Sequence, residues 1–425
     1  MNRIRVKMNC SMQELVSCIF IIWICNPISH EYYHPIYIFA IAVIWGIFAY
    51  GESKSSMGKA LGSKIFWASL IYPIIIFLYT AAGHAQFEKS SLGVPFLVLF
   101  YMYFWNKGNL RQEKMIFCTA MLYILMISIY TLIQLRSNHY IARMLANGDQ
   151  MAKAEIVSPF TAGYHEIYSY IFLAMIMIGT FSVIKRRACR SVYIPVLALL
   201  LLLLIKAQYT IAVLLLIFGV FLMAFKNRTV LFFGGFAIAF IILLTGLIGI
   251  DGWSEIVYYV SNFIPGDVLR IRFIQIGDLL SGGNSGGVNG AITRFDLYKM
   301  SWDSLMKYPL FGVGDKMEVF TDNLIGGHST FIDRLGQYGI LGGGVYIVTR
   351  IYILLKVCKT LPEEGRYIYG VSVVIYAILS ILNTTNRNSL LMMMIVIIPF
   401  FIERFCGKRR IGAGRGDNDS FKDGI

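Results

Sequence analysis

Charge is what this sequence has least of. Only 15% of its 425 residues are charged and only 24 are acidic, whereas soluble domains run near ~25% charged. With 57% hydrophobic residues and a mean hydropathy of +0.64, a water-soluble globule would leave most of its apolar side chains facing water. That excludes a soluble fold and calls for lipid as a second solvent. Cysteine is absent where a disulfide would form. Cys10, Cys18, Cys25, Cys118, Cys189, Cys358 and Cys406 lie in apolar runs or beside the basic segments between them, and no CxxC pair occurs. A secreted disulfide scaffold and a thiolate zinc centre are therefore excluded. Segments of alternating polarity are lacking, which excludes a transmembrane β-barrel. The apolar content excludes a disordered chain.

What the sequence has instead is long apolar runs. A bilayer core of ~30 Å takes roughly 20 apolar residues per helix. Twelve runs read as transmembrane helices: 12–28, 35–51, 63–82, 91–105, 113–135, 165–184, 191–206, 209–225, 229–250, 337–357, 367–383 and 388–403. The run at 91–105 is the weakest, being brief and carrying Pro95. The expected fold is an all-α polytopic membrane protein, with a bundle of about nine spans over 1–250, one large loop over 251–336, closing spans over 337–403 and a basic tail over 404–425. The first run follows a basic start, but no small-residue cleavage site follows it, so it reads as a retained helix.

The basic residues test this layout. With the N-terminus in the cytoplasm, Arg3, Arg5 and Lys7, then Lys54, Lys59 and Lys64, then Lys107, Arg111 and Lys114 fall inside. So do the clusters at 185–190, 226–228, 356–366 and 404–422, whereas the short outside turns hold few Lys or Arg. This is the positive-inside pattern, with both termini cytoplasmic. It also accounts for the net charge of +14 as a topology signal, with no need of a nucleic-acid partner.

Two loops on the outer side are long, 136–164 and 251–336, and loops beyond about 12–15 residues are uncommon unless functional or disordered. Within the second, Phe295, Tyr298, Trp302 and Leu305 fall at helical spacing, with Arg294, Asp296, Lys299, Asp303 and Lys307 on other faces. This predicts an amphipathic helix that caps the bundle or lies on the membrane. The glycine- and serine-rich stretch 281–290 before it is a hinge candidate.

Three constellations carry chemistry. His30-Glu31-Tyr32-Tyr33-His34 matches the HExxH zinc pattern, but it sits in a short turn between Pro27 and Pro35, where an uninterrupted helix is disfavoured. A polar turn with two interfacial tyrosines fits it better. Lys206-Ala-Gln-Tyr-Thr210 interrupts a very apolar stretch. Lys206 either snorkels to the interface or lines an outer cavity, where a cation suits an anionic headgroup or diphosphate. The third is Tyr308-Pro-Leu-Phe-Gly-Val-Gly314 followed by Gly326-Gly-His-Ser-Thr-Phe-Ile-Asp-Arg-Leu-Gly-Gln-Tyr-Gly-Ile-Leu-Gly342. Gly312-Val-Gly314 lacks the Lys-Ser/Thr of a phosphate-binding loop and reads as a tight turn. Thr330-Phe-Ile-Asp333 resembles a capping box. It would set His328 beside a helix N-terminus, whose dipole favours anions and a neutral imidazole. Such an imidazole suits a general base, although a lone histidine more often caps or joins a polar cluster.

In their order, Arg294, Trp302, Tyr308-Pro-Leu-Phe-Gly-Val-Gly314, His328 and Gly336-Gln-Tyr-Gly-Ile-Leu-Gly342 resemble the O-antigen ligase/polymerase superfamily, which holds Wzy-type polymerases and O-antigen ligases. The likeness is close over 294–344, and the many-span layout with one large outer loop agrees elsewhere. Ser329 stands where the family commonly has Asn, and Gln208-Tyr209 stand where it has Ser-Arg, with Lys206 the substitute cation. The resemblance implies a GT-C-like glycosyltransferase on the outer face of a bacterial cytoplasmic membrane. Its substrates would be oligosaccharide repeat units on undecaprenyl diphosphate, polymerised into O-antigen of lipopolysaccharide or into capsule. It also implies His328 as base or orienting residue, with Arg294, Arg270, Arg272 and Lys206 at the diphosphate. Glu166 and Trp302 are further candidates. No metal or cofactor is required. Partners would be the lipid-linked oligosaccharides, membrane lipid, a chain-length regulator and the flippase of the same pathway. An O-antigen ligase shares these motifs. A transporter of lipid-linked sugars fits twelve spans but would show repeated halves.

Overall fold

The computed structural model describes residues 11–27, 35–85, 88–138, 141, 160–181, 187–225, 254–264, 270–271, 273–274, 277, 294–314, 325–385 and 387–406. Among these the secondary structure is helical throughout, without strands. The helices are α1 (Met12–Cys25), α2 (Pro35–Glu52), α3 (Lys54–Leu61), α4 (Lys64–Ala81), α5 (Gly93–Lys107), α6 (Leu110–Ser137), α7 (Tyr164–Thr180), α8 (Arg187–Lys206), α9 (Thr210–Ala224), α10 (Arg294–Lys307), α11 (Thr330–Gly339), α12 (Val345–Thr360) and α13 (Glu363–Leu382). The last, α14 (Asn388–Cys406), contains a π-turn at Met393–Ile397.

Polar side chains set where the helices start. Ser11 and Glu14 cap α1 reciprocally, the Glu14 N–H donating to Ser11 Oγ at 3.2 Å and the Ser11 N–H to Glu14 Oε2 at 3.1 Å. Ser53 and Ser63 cap α3 and α4, and Asn109 caps α6. Gly108, at φ +61°, makes the left-handed turn that separates α5 from α6. Each cap satisfies an amide that has no partner within its helix. Pro95 costs α5 little, because it lies in the first turn, where a missing N–H breaks no helical bond.

Five helical stretches are long and apolar enough to cross a membrane: α4, α6, Thr330–Thr360, α13 and α14. Four more, Met12–Cys25, Phe39–Glu52, Ser191–Lys206 and Ile211–Ala224, are apolar but shorter. Leu122, Ile129 and Ile133 on α6, Trp67, Ile74 and Phe77 on α4, and Leu214, Ile217 and Phe218 on α9 are exposed. An apolar rim this continuous is tolerated in lipid and not in water. The expected runs at 91–105 and 165–184 coincide with α5 and α7, helices whose residues are mostly buried. At fifteen residues, α5 is only about 22 Å long at 1.5 Å per residue. Neighbouring helices cover it, so its length need not match the bilayer. The expected run at 229–250 lies outside the described residues.

α14 is the centre, buried along most of its length and packed against α1, α5, α6 and α7. Around it, α7 packs on α8, α9 and α13, and α4 packs on α12. The π-turn in α14 frees a backbone carbonyl inside the bundle, and the Tyr369 hydroxyl donates to Met394 O at 2.7 Å. Inside a membrane such a group must find a protein partner.

The two ends of the bundle are sorted as the alternation of spans expects. One end gathers Gln13 and Glu14 of α1, Glu52 of α2, Lys107 of α5 and Gln112 of α6. Lys107 Nζ lies 2.6 Å from Glu52 Oε1, and Gln112 Nε2 donates to Glu52 Oε1 at 3.0 Å and to Glu14 Oε1 at 3.2 Å. The other end gathers the starts of α7, α11 and α14 and the α8–α9 turn, and it holds the candidate site.

Candidate functional site

His328 sits in a four-residue loop, Gly326–Ser329, that leads into α11. Its ring is exposed, with Nδ1 3.3 Å from Gly326 O. When Nδ1 carries the proton toward that carbonyl, Nε2 keeps the lone pair a general base needs. One buried carboxylate holds the loop. Asp333 Oδ2 accepts the Ser329 N–H at 2.7 Å, and Oδ1 accepts the Ser301 hydroxyl at 2.6 Å. Ser301 Oγ in turn accepts the Gly326 N–H at 2.9 Å. Asp333 therefore ties both ends of the His328 loop, one directly and one through α10.

The cap differs from the expected Thr330-to-Asp333 box by one residue. Ser329 is the N-cap, its Oγ accepting the Ile332 N–H at 3.1 Å. Thr330 turns to the next segment, where Thr330 Oγ1 accepts the Thr385 N–H at 2.5 Å. The Thr330 N–H donates to Asn383 O at 3.2 Å, and Asn383 Nδ2 donates to the Tyr168 hydroxyl at 3.0 Å. The His328 loop, the segment 383–385 and the start of α7 are thus one hydrogen-bonded unit. The rings of Tyr164 and Tyr168 continue it to Tyr209, with centroids 5.6 and 6.0 Å away.

The glycine-rich turn is structural. The Val313 N–H donates to Gly336 O at 3.1 Å and the Gly314 N–H to Gln337 O at 2.8 Å. In return the Ile340 N–H donates to Pro309 O at 2.8 Å. Two pieces of the sequence motif are laced together backbone to backbone. Gly312 and Gly339 sit at φ +70° and +63°, and a side chain at either would collide with backbone of the other segment. The left-handed Gly339 also ends α11, so the bundle helix proper begins at Ile340. From Ile340 to Thr360 it is about 31 Å long at 1.5 Å per residue, which matches a ~30 Å hydrocarbon core.

The expected amphipathic helix exists as α10, but with a different buried face. Ser301, Ser304 and Leu305 are buried against α11, and the Tyr298 hydroxyl donates to Leu382 O at 2.7 Å. Trp302 is 49% exposed, together with Met306, Tyr308, Leu310 and Phe311. Small serines, not the large aromatics, let α10 approach α11 closely, so Trp302 is displaced from the expected core face to an outer apolar one. Arg294 begins α10, and the next turn packs on the His328 loop, since a Cβ on Gly326 would strike the Leu297 backbone. Arg270 is exposed on a helical pair of residues, and Lys206 is exposed at the end of α8 beside the Tyr209 turn. Glu166 is buried and accepts the Gly163 N–H at 3.1 Å, capping α7. Arg272, the His30–His34 pentad and the 281–290 stretch lie outside the described residues. No cluster of three or more His, Cys, Asp or Glu residues suited to a metal occurs among the described residues.

Several charged and polar residues at this end of the fold escape sequence reasoning. Arg334 Nη2 lies 2.6 Å from Glu88 Oε1, and the Tyr72 hydroxyl donates to Glu88 Oε2 at 2.9 Å. Glu88 and Arg334 are 246 positions apart, which no spacing rule joins. Arg350 is different: a guanidinium in the middle of an apolar run is visible in sequence and marks a functional candidate by its cost alone. No protein-family model, no curated protein and no solved structure matches this chain.

Proposed function

We propose that this chain is a membrane glycosyltransferase that polymerises undecaprenyl-diphosphate-linked repeat units into a surface polysaccharide on the outer face of the bacterial cytoplasmic membrane. One observation carries the reading: the motif segments 301–314 and 326–341 are hydrogen-bonded to one another, with the exposed imidazole of His328 at one end of an apolar helical bundle. In this reading His328 Nε2 accepts the proton of an acceptor sugar hydroxyl as that oxygen bonds to the donor anomeric carbon. The bond from that carbon to the diphosphate breaks, and the electron pair leaves with the diphosphate. Arg294, Arg270, Arg272 and Lys206 are assigned to the leaving diphosphate, where preorganised cations stabilise the charge that develops.

The test is deletion of the gene followed by lipid analysis, with complementation by His328→Ala. Accumulation of single-repeat glycans supports polymerisation, with His328→Ala failing to restore polymer although the protein reaches the membrane. Long unattached glycan would instead identify a ligase, and repeat units held on the inner leaflet a flippase. Normal chain-length ladders from His328→Ala would remove this histidine from the mechanism.

A further inference from the structure

Arg350 lies halfway between Ile340 and Thr360, about 15 Å from either at 1.5 Å per residue, within a helical stretch long and apolar enough to cross a membrane. Its side chain is 5% exposed, and Nη1 is buried without a hydrogen-bond partner. The guanidinium rests on the Tyr346 ring, 4.9 Å from the centroid. The Tyr346 hydroxyl is likewise buried without a partner. The guanidinium of Arg334 lies over the same ring, 5.6 Å from its centroid.

The two arginines differ in their counter-charge. Arg334 has Glu88, and both Glu88 oxygens are engaged, one by Arg334 and one by Tyr72. Tyr376 of α13 also lies close to Arg350 and Tyr346, an uncharged phenol whose hydroxyl is likewise buried without a partner. Among the described residues, Arg350 makes no ion pair. A buried cation with an idle N–H costs far more than a paired one, and so does an idle hydroxyl beside it. Two donors and a surplus positive charge in one buried place are the chemistry of a phosphate oxyanion site. Its depth favours a phosphate carried on a lipid over one arriving from water.

We infer that Arg350 and Tyr346 form an intramembrane binding site for the phosphate of a polyprenyl lipid. The assignment rests on the proposed function in one respect, the choice of a polyprenyl diphosphate as ligand. The site is distinct from the His328 loop and acts in holding the lipid, not in proton transfer.

The experiment uses the full chain purified in detergent, with undecaprenyl diphosphate as probe and retention read by native mass spectrometry. Inorganic pyrophosphate is the comparison. Wild type is expected to retain two lipids, one at this site and one at the cations assigned to the leaving diphosphate, and the variants are read on loss of the first. Arg350→Gln should weaken retention at least tenfold and Tyr346→Phe about fivefold. Free Tyr346→Phe should melt no lower than wild type, because it loses a hydroxyl that has no partner, whereas Arg350→Gln also gives up the contact with the Tyr346 ring. Tyr346→Phe keeps the ring under the guanidinium, so it decides the matter alone if Arg350→Gln fails to fold. Unchanged retention in Tyr346→Phe, or a lower melting temperature of that variant without lipid, would overturn the site. Equal protection by inorganic pyrophosphate, lost in the same variants, would overturn its assignment to a lipid. Loss of retention in a strain whose deletion leaves glycan lipids normal would retain the site and discard the polymerase.

Discussion

Asp333→Asn should loosen the His328 loop while leaving the bundle intact. The carboxylate accepts two hydrogen bonds at 2.7 and 2.6 Å, and bonds to a charged acceptor contribute ~1.5–3 kcal/mol each. An asparagine keeps one carbonyl oxygen, enough for the Ser329 N–H. Its NH2 then faces Ser301 Oγ, which already accepts the Gly326 N–H, and the Ser301 hydroxyl proton loses its acceptor. The net loss is about 2 kcal/mol, which is about 30-fold in the local opening equilibrium. Amide hydrogen exchange on the purified protein reads this directly. Gly326 and Ser329 should lose protection about 30-fold, while amides of the buried α14 exchange as in wild type. Ser301→Ala should free Gly326 more than Ser329, and the two substitutions together should be non-additive, since they share one network. Wild-type protection at Ser329 in Asp333→Asn, or an equal loss across all helices, would refute the idea that this carboxylate holds the loop.

Gly312 and Gly327 both have a left-handed backbone, at φ +70° and +72°, but only Gly312 is crowded, its missing Cβ directed at Gln337 and Gly339 while nothing approaches Gly327. Gly327→Ala should cost about 1–2 kcal/mol from backbone strain alone, and Gly312→Ala distinctly more. Melting temperatures in one detergent give the ranking, and equal values would count against the lacing of the two motif segments. His30→Ala combined with His34→Ala should leave polymer formation near wild type. Loss of activity together with stoichiometric bound zinc would restore the HExxH zinc reading of that pentad.

The sequence made the helices legible because apolar run length is a property of consecutive residues. α4, α6 and α13 begin and end within a few residues of the expected runs. The break at Gly339 was partly legible too, since the expected span at 337–357 begins there and not at Thr330. Faces were less legible. The spacing of Phe295, Tyr298, Trp302 and Leu305 suits a helix, but which stripe is buried depends on what lies opposite. Against α11, whose Gly336 would strike the Ser301 backbone if it carried a Cβ, only serine fits. The role of Asp333 was legible in kind, as a carboxylate near a helix start. Its second bond, to Ser301 across 32 positions, was not.

Tyrosine gives the buried chemistry its grammar. Tyr79 donates to Tyr338 O beside the break at Gly339, Tyr369 to Met394 O in the π-turn, and Tyr367 to Leu222 O at the end of α9. In each case a ring fills apolar space while the hydroxyl donates to a main-chain carbonyl at a helix break or end, the division of labour expected where no water is at hand. Against that pattern a buried tyrosine with an idle hydroxyl has to be explained by its neighbours. Tyr123 is one, and no cation stands beside it. Tyr376 is another, close to Arg350, and Tyr346 is a third, with two guanidinia over its ring of which only one is neutralised. A phenol that merely filled space there would be better replaced by phenylalanine. The hydroxyl and the unneutralised Arg350 have in common that both are donors awaiting an acceptor, and a lipid-borne phosphate supplies one to each.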